Sequence, residues 1–131
     1  MGTVVSIGAL ALEGLLGLFM VYAVYLNFTN SPLLVKSWTE SGMPRWYTRL
    51  AGVLGAIGAL ALLVGVFIPT VGALALLWMV AYFIVATLTH VVVRDTFATT
   101  SIPLVFLALS IAGVALRWSS LSPVLAAIRL G

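Results

Sequence analysis

The chain has 131 residues, 63% of them hydrophobic and 7% charged, with a mean hydropathy of +1.27 and a net charge of +3. A soluble domain carries roughly 25% charged residues, so the polar surface here is too small for a water-exposed globule and the main solvent must be lipid. The absence of cysteine excludes disulfides, thiol catalysis and thiolate metal sites, and six basic residues scattered among turns make no nucleic-acid surface.

A single domain is expected at this length. The opening "MGTVVS" lacks the positive region of a cleaved signal peptide. It fits the myristoylation pattern through Gly2 and Ser6. The first span is predicted at 4–26. A later frame, 14–35, would bury "NFTNSP" in hydrocarbon, where a proline and loose polar groups fit badly. Asn27 to Thr29 also match a glycosylation sequon at the membrane edge.

Residues 27–46 form the one long connection. "PLLVKSWTESGMPRW" mixes Leu33, Leu34, Trp38 and Met43 with Lys36, Glu40 and Arg45, which suits either a short interfacial helix or a plain loop anchored by tryptophans. From 50 to 93 the only ionisable side chain besides tyrosine is that of His90. A span needs about 20 residues, so this run is two spans. Proline disfavours helix at the residue before it, so "IPT" (Ile68 to Thr70) divides the run into helices at 47–68 and 71–93. The fourth span is predicted at 100–118 and a surface tail at 119–131. The runs are continuously apolar rather than alternating, which argues against barrel strands.

These elements predict an all-α fold, an integral membrane antiparallel four-helix bundle with short connections. Small residues at helical spacing would let the backbones approach. They are Ala51, Gly55 and Ala59 with Gly52 and Ala56 on the second span, Gly72, Ala73, Ala75 and Ala86 on the third, and Ala108, Ala112 and Ala115 on the fourth. They suit packing within one bundle or, in the alternative, an oligomer interface. Lys36, Arg45, Arg49 and Arg94 lie on the side of the two connections, against Arg117 and Arg129 on the side of the termini. The positive-inside rule then puts both termini outside.

Glu13 is the one acid inside a predicted span. Depth matching across the first span sets it near the bilayer middle, beside Gly58 and Ala59, Trp78 to Tyr82, and Ser110 to Gly113. No cation is expected at that level, so Glu13 is expected to be uncharged and to face the interior. An intramembrane acid is by default a candidate functional residue. Its candidate roles are hydrogen-bonding a small ligand or exchanging a proton, and the bland alternative is an interhelical hydrogen bond. The Trp78 indole, the Tyr82 hydroxyl and Ser110 are its expected neighbours. His90 lies nearer the inner edge, by Tyr22 or Tyr25. It is either a ligand contact or an interfacial histidine bonded to a hydroxyl such as Thr87. The single histidine excludes bis-histidine haem within one chain, and no Asp/Glu/His cluster suggests a metal. "GVLGAIG" follows no strand and reads as membrane packing, and no serine has a base beside it.

With "SGMPRWYTRLAGVLGAIGALALLVGVFIP" (Ser41 to Pro69) ahead of a third span that closes in a histidine, the chain resembles the DoxX-like family of small membrane proteins. Gly42, Pro44, Gly52, Gly65 and Pro69 carry the resemblance, which covers about residues 8–116. The acid common early in that family's second span is missing here, where the residues are Val53, Leu54 and Gly55. The resemblance implies association with quinone-linked redox systems, as in the membrane subunit of thiosulfate:quinone oxidoreductase or the partners of oxidative-stress proteins.

The leading expectation is therefore a membrane accessory or anchor subunit of a quinone-linked redox complex. It would have a pocket for a quinone or lipid lined by Glu13, Trp78, Tyr82, Ser110 and His90. One alternative is a stand-alone carrier or lipid/isoprenoid-binding protein, alone or as a homo-oligomer; another is a membrane chaperone or structural protein. No catalytic motif is present, so the chain would be at most a non-catalytic subunit of an oxidoreductase. The expected location is a bacterial or archaeal plasma membrane.

Overall fold

In lipid every backbone N–H and C=O must find its partner inside the segment, so a continuous apolar run can cross only as a helix or within a closed barrel. The computed structural model describes residues 2–29, 42, 44–94 and 97–130. Those residues form five α-helices and no strand: α1 (Gly2–Phe28), α2 (Arg45–Gly65), α3 (Pro69–Val92), α4 (Phe97–Leu116) and α5 (Trp118–Leu130). The first four are long and apolar enough to cross a membrane. At 1.5 Å per residue even α4 spans about 30 Å, the thickness of the hydrocarbon. The protein is an integral membrane helical bundle. Of the interfacial helix or loop expected over residues 32–46, residues 32–41 and 43 lie outside the described residues, and Arg45 and Trp46 already belong to α2.

Local chemistry fixes the ends. Pro69 is the first residue of α3, where its missing N–H costs no bond and its fixed φ suits a helix start. Ile68 before it is extended, with φ −124° and ψ 102°. α2 therefore stops at Gly65, and Val66 to Ile68 close the hairpin through bonds back to Leu63 and Val64. α3 ends with Arg94 in the left-handed region, φ 57°, the conformation that commonly terminates helices. Beyond Leu116 the chain turns only at Arg117, and the tail continues as α5, which packs on α3 and α4.

The four spans form a ring, each packed on its neighbours in sequence, with α4 closing on α1. All neighbours run antiparallel. Asn27 meets Thr48 while Gly17 meets Leu63; Tyr82 meets Ala51 while Gly72 meets Gly65; Phe83 meets Phe106 while Leu76 meets Gly113. The core holds Leu16 and Met20 of α1, Ala59 and Leu62 of α2, and Ala75, Leu76, Met79 and Phe83 of α3. Phe19 stacks on Phe106 with centroids 3.9 Å apart, joining α1 to α4.

The small-residue stripe of α2 points inward as Gly52, Gly55, Gly58, Ala59 and Gly65, while Ala51 and Ala56 are half-buried. At Gly65 the backbone of Gly72 lies where a β-carbon would be, so only glycine allows this approach. On α4 the expectation of packing within the bundle is overturned. Ala108, Ala112 and Ala115 face outward, and Pro103, Ser110 and Gly113 are buried. The stripe that carries Phe106 can interlock with Leu76 and Phe83 across Gly113; a row of alanines would leave those large side chains without a partner.

Candidate functional site

Glu13 does not sit where depth matching puts it. α1 extends from Gly2 to Phe28, and the Glu13 carboxyl lies in its N-terminal half. It faces Gly72, where an added β-carbon would come within 2.5 Å of Oε1, near the α2–α3 hairpin and not beside Trp78 or Tyr82. A cation meets it there. Arg117 Nε donates to Glu13 Oε1 at 2.8 Å and its Nη2 donates to Oε2 at 3.1 Å. Glu13 is fully buried and Arg117 is 7% exposed. The uncharged, unpaired acid expected from the sequence is thus replaced by a two-pronged buried ion pair. Arg117 starts at the end of α4, but its long stem folds back into the bundle, and its Cα position alone does not reveal the depth of its head. The absence of a side chain at Gly72 makes the room.

Ser110 is also buried, and its hydroxyl donates to Phe106 O of its own helix at 2.8 Å. The other three residues singled out by the sequence come together. Trp78, Tyr82 and His90 recur along one face of α3 and line a cavity of about 500 Å³ between α1, α2 and α3. Neither Glu13 nor Ser110 lines it. Met20, Ala23, Val24 and Asn27 of α1 form its floor, and α2 contributes Tyr47 to Leu54 apart from Arg49 and Val53. Leu50, Trp78, Ala81 and Val85 line it and are exposed on the outside of the bundle, so it opens sideways between α2 and α3, toward lipid.

The cavity is polar at one end. From Trp78 to His90 it spans twelve residues of α3, about 18 Å. Near Trp78 it is walled by apolar groups such as Met20 and Leu54. Toward the connections it is walled by Asn27, Tyr47, Thr48, Thr89 and His90. Most donors there already have acceptors. Trp78 Nε1 donates to Leu54 O at 3.1 Å and Tyr82 OH to Ala51 O at 3.2 Å. Thr48 Oγ1 donates to Arg45 O at 2.8 Å and Thr89 Oγ1 to Val85 O at 2.8 Å. Thr89 thus has no proton left for Tyr47, so in the short contact between their hydroxyls Tyr47 is the donor. Asn27 Nδ2 donates to Thr48 O at 3.0 Å, whereas Asn27 Oδ1 is buried with no partner among the described residues.

The sequence reading missed Arg117, Asn27, Tyr47, Thr48 and Thr89. Asn27 read as a sequon at the membrane edge, yet its amide is turned into the bundle against Gly52. Tyr22 and Tyr25, expected beside His90, face outward and line no part of the cavity; Tyr47 and Thr89 line that end. A polar residue one turn from the end of a long apolar helix was the available signal for Asn27.

No curated protein and no solved structure matches the chain. Residues 11–113 match the sequence profile of the DoxX-like family. Spanning most of the chain and all four membrane helices, that match establishes that this integral membrane protein belongs to the DoxX-like family.

Proposed function

We propose that the chain is a membrane accessory subunit of a quinone-linked redox complex and that the cavity between α1, α2 and α3 receives a lipid-soluble ligand of quinone size. One observation carries this reading: a laterally open cavity of about 500 Å³, polar at the connection end and apolar along its length. Pockets of this volume suit small ligands. The head of an amphipathic ligand would lie against Asn27, Tyr47, Thr89 and His90, and its apolar body against Met20, Leu54 and Trp78. A quinone bound there supplies two-electron redox chemistry, while this chain binds and orients it. Glu13 leaves the ligand set on this reading and becomes the structural partner of Arg117. The orientation with both termini outside remains part of the proposal. Arg117 is neutralised by Glu13, which leaves Arg129 as the other basic residue counted on that side.

The sideways opening favours a second reading as well, a stand-alone lipid- or isoprenoid-binding protein, because such a ligand also enters from the bilayer. Native mass spectrometry after mild-detergent extraction tests the two. A bound prenylated quinone together with redox subunits is the expected result. A lone chain or homo-oligomer carrying only lipid or isoprenoid would overturn the redox assignment in favour of the second reading.

A further inference from the structure

Resting on that cavity reading, we infer that the site selects ligands by a hydroxyl donor: it prefers a phenol or alcohol over the matching ether. The argument is a polar inventory of the wall. Trp78, Tyr82, Thr48 and Thr89 each donate to a backbone carbonyl, and Tyr47 donates to Thr89. A ligand carbonyl entering there finds these donors already engaged. Asn27 presents the opposite case. Its Nδ2 is held by Thr48 O, which fixes which way the amide points, and its Oδ1 is a buried acceptor without a partner among the described residues.

An unmade bond at a buried acceptor is costly, and native structures rarely leave one without a reason. Oδ1 lies against Gly52, where a β-carbon would come within 2.7 Å of it, and both residues line the cavity. The terminal torsion of asparagine is broad. A small turn about that torsion, within what the Nδ2–Thr48 bond tolerates, brings Oδ1 to the lumen, and the missing side chain at Gly52 leaves it room. A ligand O–H at the polar end then satisfies an acceptor that the fold leaves open. The class that fits is an apolar body with a hydroxyl head, such as a hydroquinone or an isoprenoid alcohol.

The test loads the whole protein, in lipid nanodiscs, with equal amounts of para-decylphenol and its O-methyl ether, and reads the ratio of the two bound species by native mass spectrometry. A parallel arm uses farnesol and its methyl ether. The wild type should hold the hydroxyl form about tenfold over the ether, the worth of one well-made hydrogen bond to a buried acceptor. In Asn27→Leu, of similar size but without an acceptor, the ratio should fall below about twofold. A selective phenol arm assigns the natural ligand to the hydroquinones, and a selective farnesol arm assigns it to the isoprenoid alcohols. Equal binding of hydroxyl and ether in the wild type overturns the inference and leaves the cavity proposal standing. Selectivity that survives in N27L removes Asn27 from the role. If no probe binds, the cavity proposal falls as well. The wild-type ratio decides the main point even if N27L fails to fold.

Discussion

The buried pair of Glu13 and Arg117 makes a demanding test of the fold, because its two single mutants and its double mutant should behave very differently. Both groups are almost sealed from solvent, and two hydrogen bonds of 2.8 and 3.1 Å join them across 104 residues of chain. Removing one partner of such a pair strands the other charge, at a cost of about 3–5 kcal/mol. Arg117→Leu should reach that range, since Glu13 is short, faces Gly72 and cannot extend to the headgroups. Glu13→Leu should cost less, about 1–3 kcal/mol, because the arginine left behind can swing its head toward the nearby membrane surface. The double variant E13L/R117L removes both charges together. Replacing a buried pair by apolar groups is often close to neutral, so it should lie within about 2 kcal/mol of wild type. Denaturant unfolding in detergent micelles, followed by far-UV circular dichroism, gives all four stabilities. The double-mutant cycle should then show coupling of at least about 2 kcal/mol. Additive single effects, or single costs below about 0.5 kcal/mol, would show that the two side chains do not meet inside the bundle.

The packing fixes three further outcomes. Gly72→Ala would press a methyl group against Glu13 Oε1 at 2.5 Å and Gly65 O at 3.0 Å, and should destabilise by about 1–3 kcal/mol in the same unfolding assay. Ser110→Ala removes a bond made only to its own helix, so it should cost less than about 1.5 kcal/mol and leave ligand binding unchanged in nanodisc titrations. On the proposed quinone reading, and in a Trp38→Phe background, Trp78→Phe should abolish most of the tryptophan quenching by an added quinone, because Trp78 lines the cavity whereas the exposed Trp46 and Trp118 do not.

Solvent and spacing make much of this protein legible. A long stretch without charge had to be two spans, and Pro69 had to start the second. The glycine and alanine row of α2 turns inward at Gly52, Gly55 and Ala59, but its glycines receive side chains of α1 and α3, and close backbone contact comes at Gly65 and Gly72, outside that row. Trp78, Tyr82 and His90 share a face because their spacing matches the helical repeat. The illegible features depend on side-chain reach and on the register between helices. The register between α1 and α3 sets Glu13 at the level of Gly72, ten residues or about 15 Å along α3 from Tyr82. Arg117 reads as an anchor at the membrane edge from its position, yet its guanidinium lies inside. On α4, a row of alanines and a row with Phe106, Ser110 and Gly113 both fit helical spacing. Only the bulk of Leu76 and Phe83 opposite decides which faces in.

Register also separates two polar systems that the sequence reading merges into one. The ion pair lies on the side of the α2–α3 hairpin, and the polar end of the cavity lies on the side of the connections. Met20, the first residue of α1 to line the cavity, is seven residues from Glu13, about 10 Å along the helix. The buried side chains of Leu16, Leu62 and Met79 belong to the core that lies between. A charge pair so placed ties α1 to the end of α4 without touching the ligand wall. It supplies the directional hold between helices that apolar packing in lipid lacks. With that end fixed by Glu13 and Arg117 and by glycine contact at the hairpin, α2 and α3 can diverge toward the connections around Trp78 and Tyr82. There, indole and phenol bonds to α2 carbonyls set the width of the opening. The acid therefore holds the frame and not the site, so loss of the carboxylate should lower stability while the affinity of the remaining folded protein for a cavity ligand, read by nanodisc titration, stays as it was.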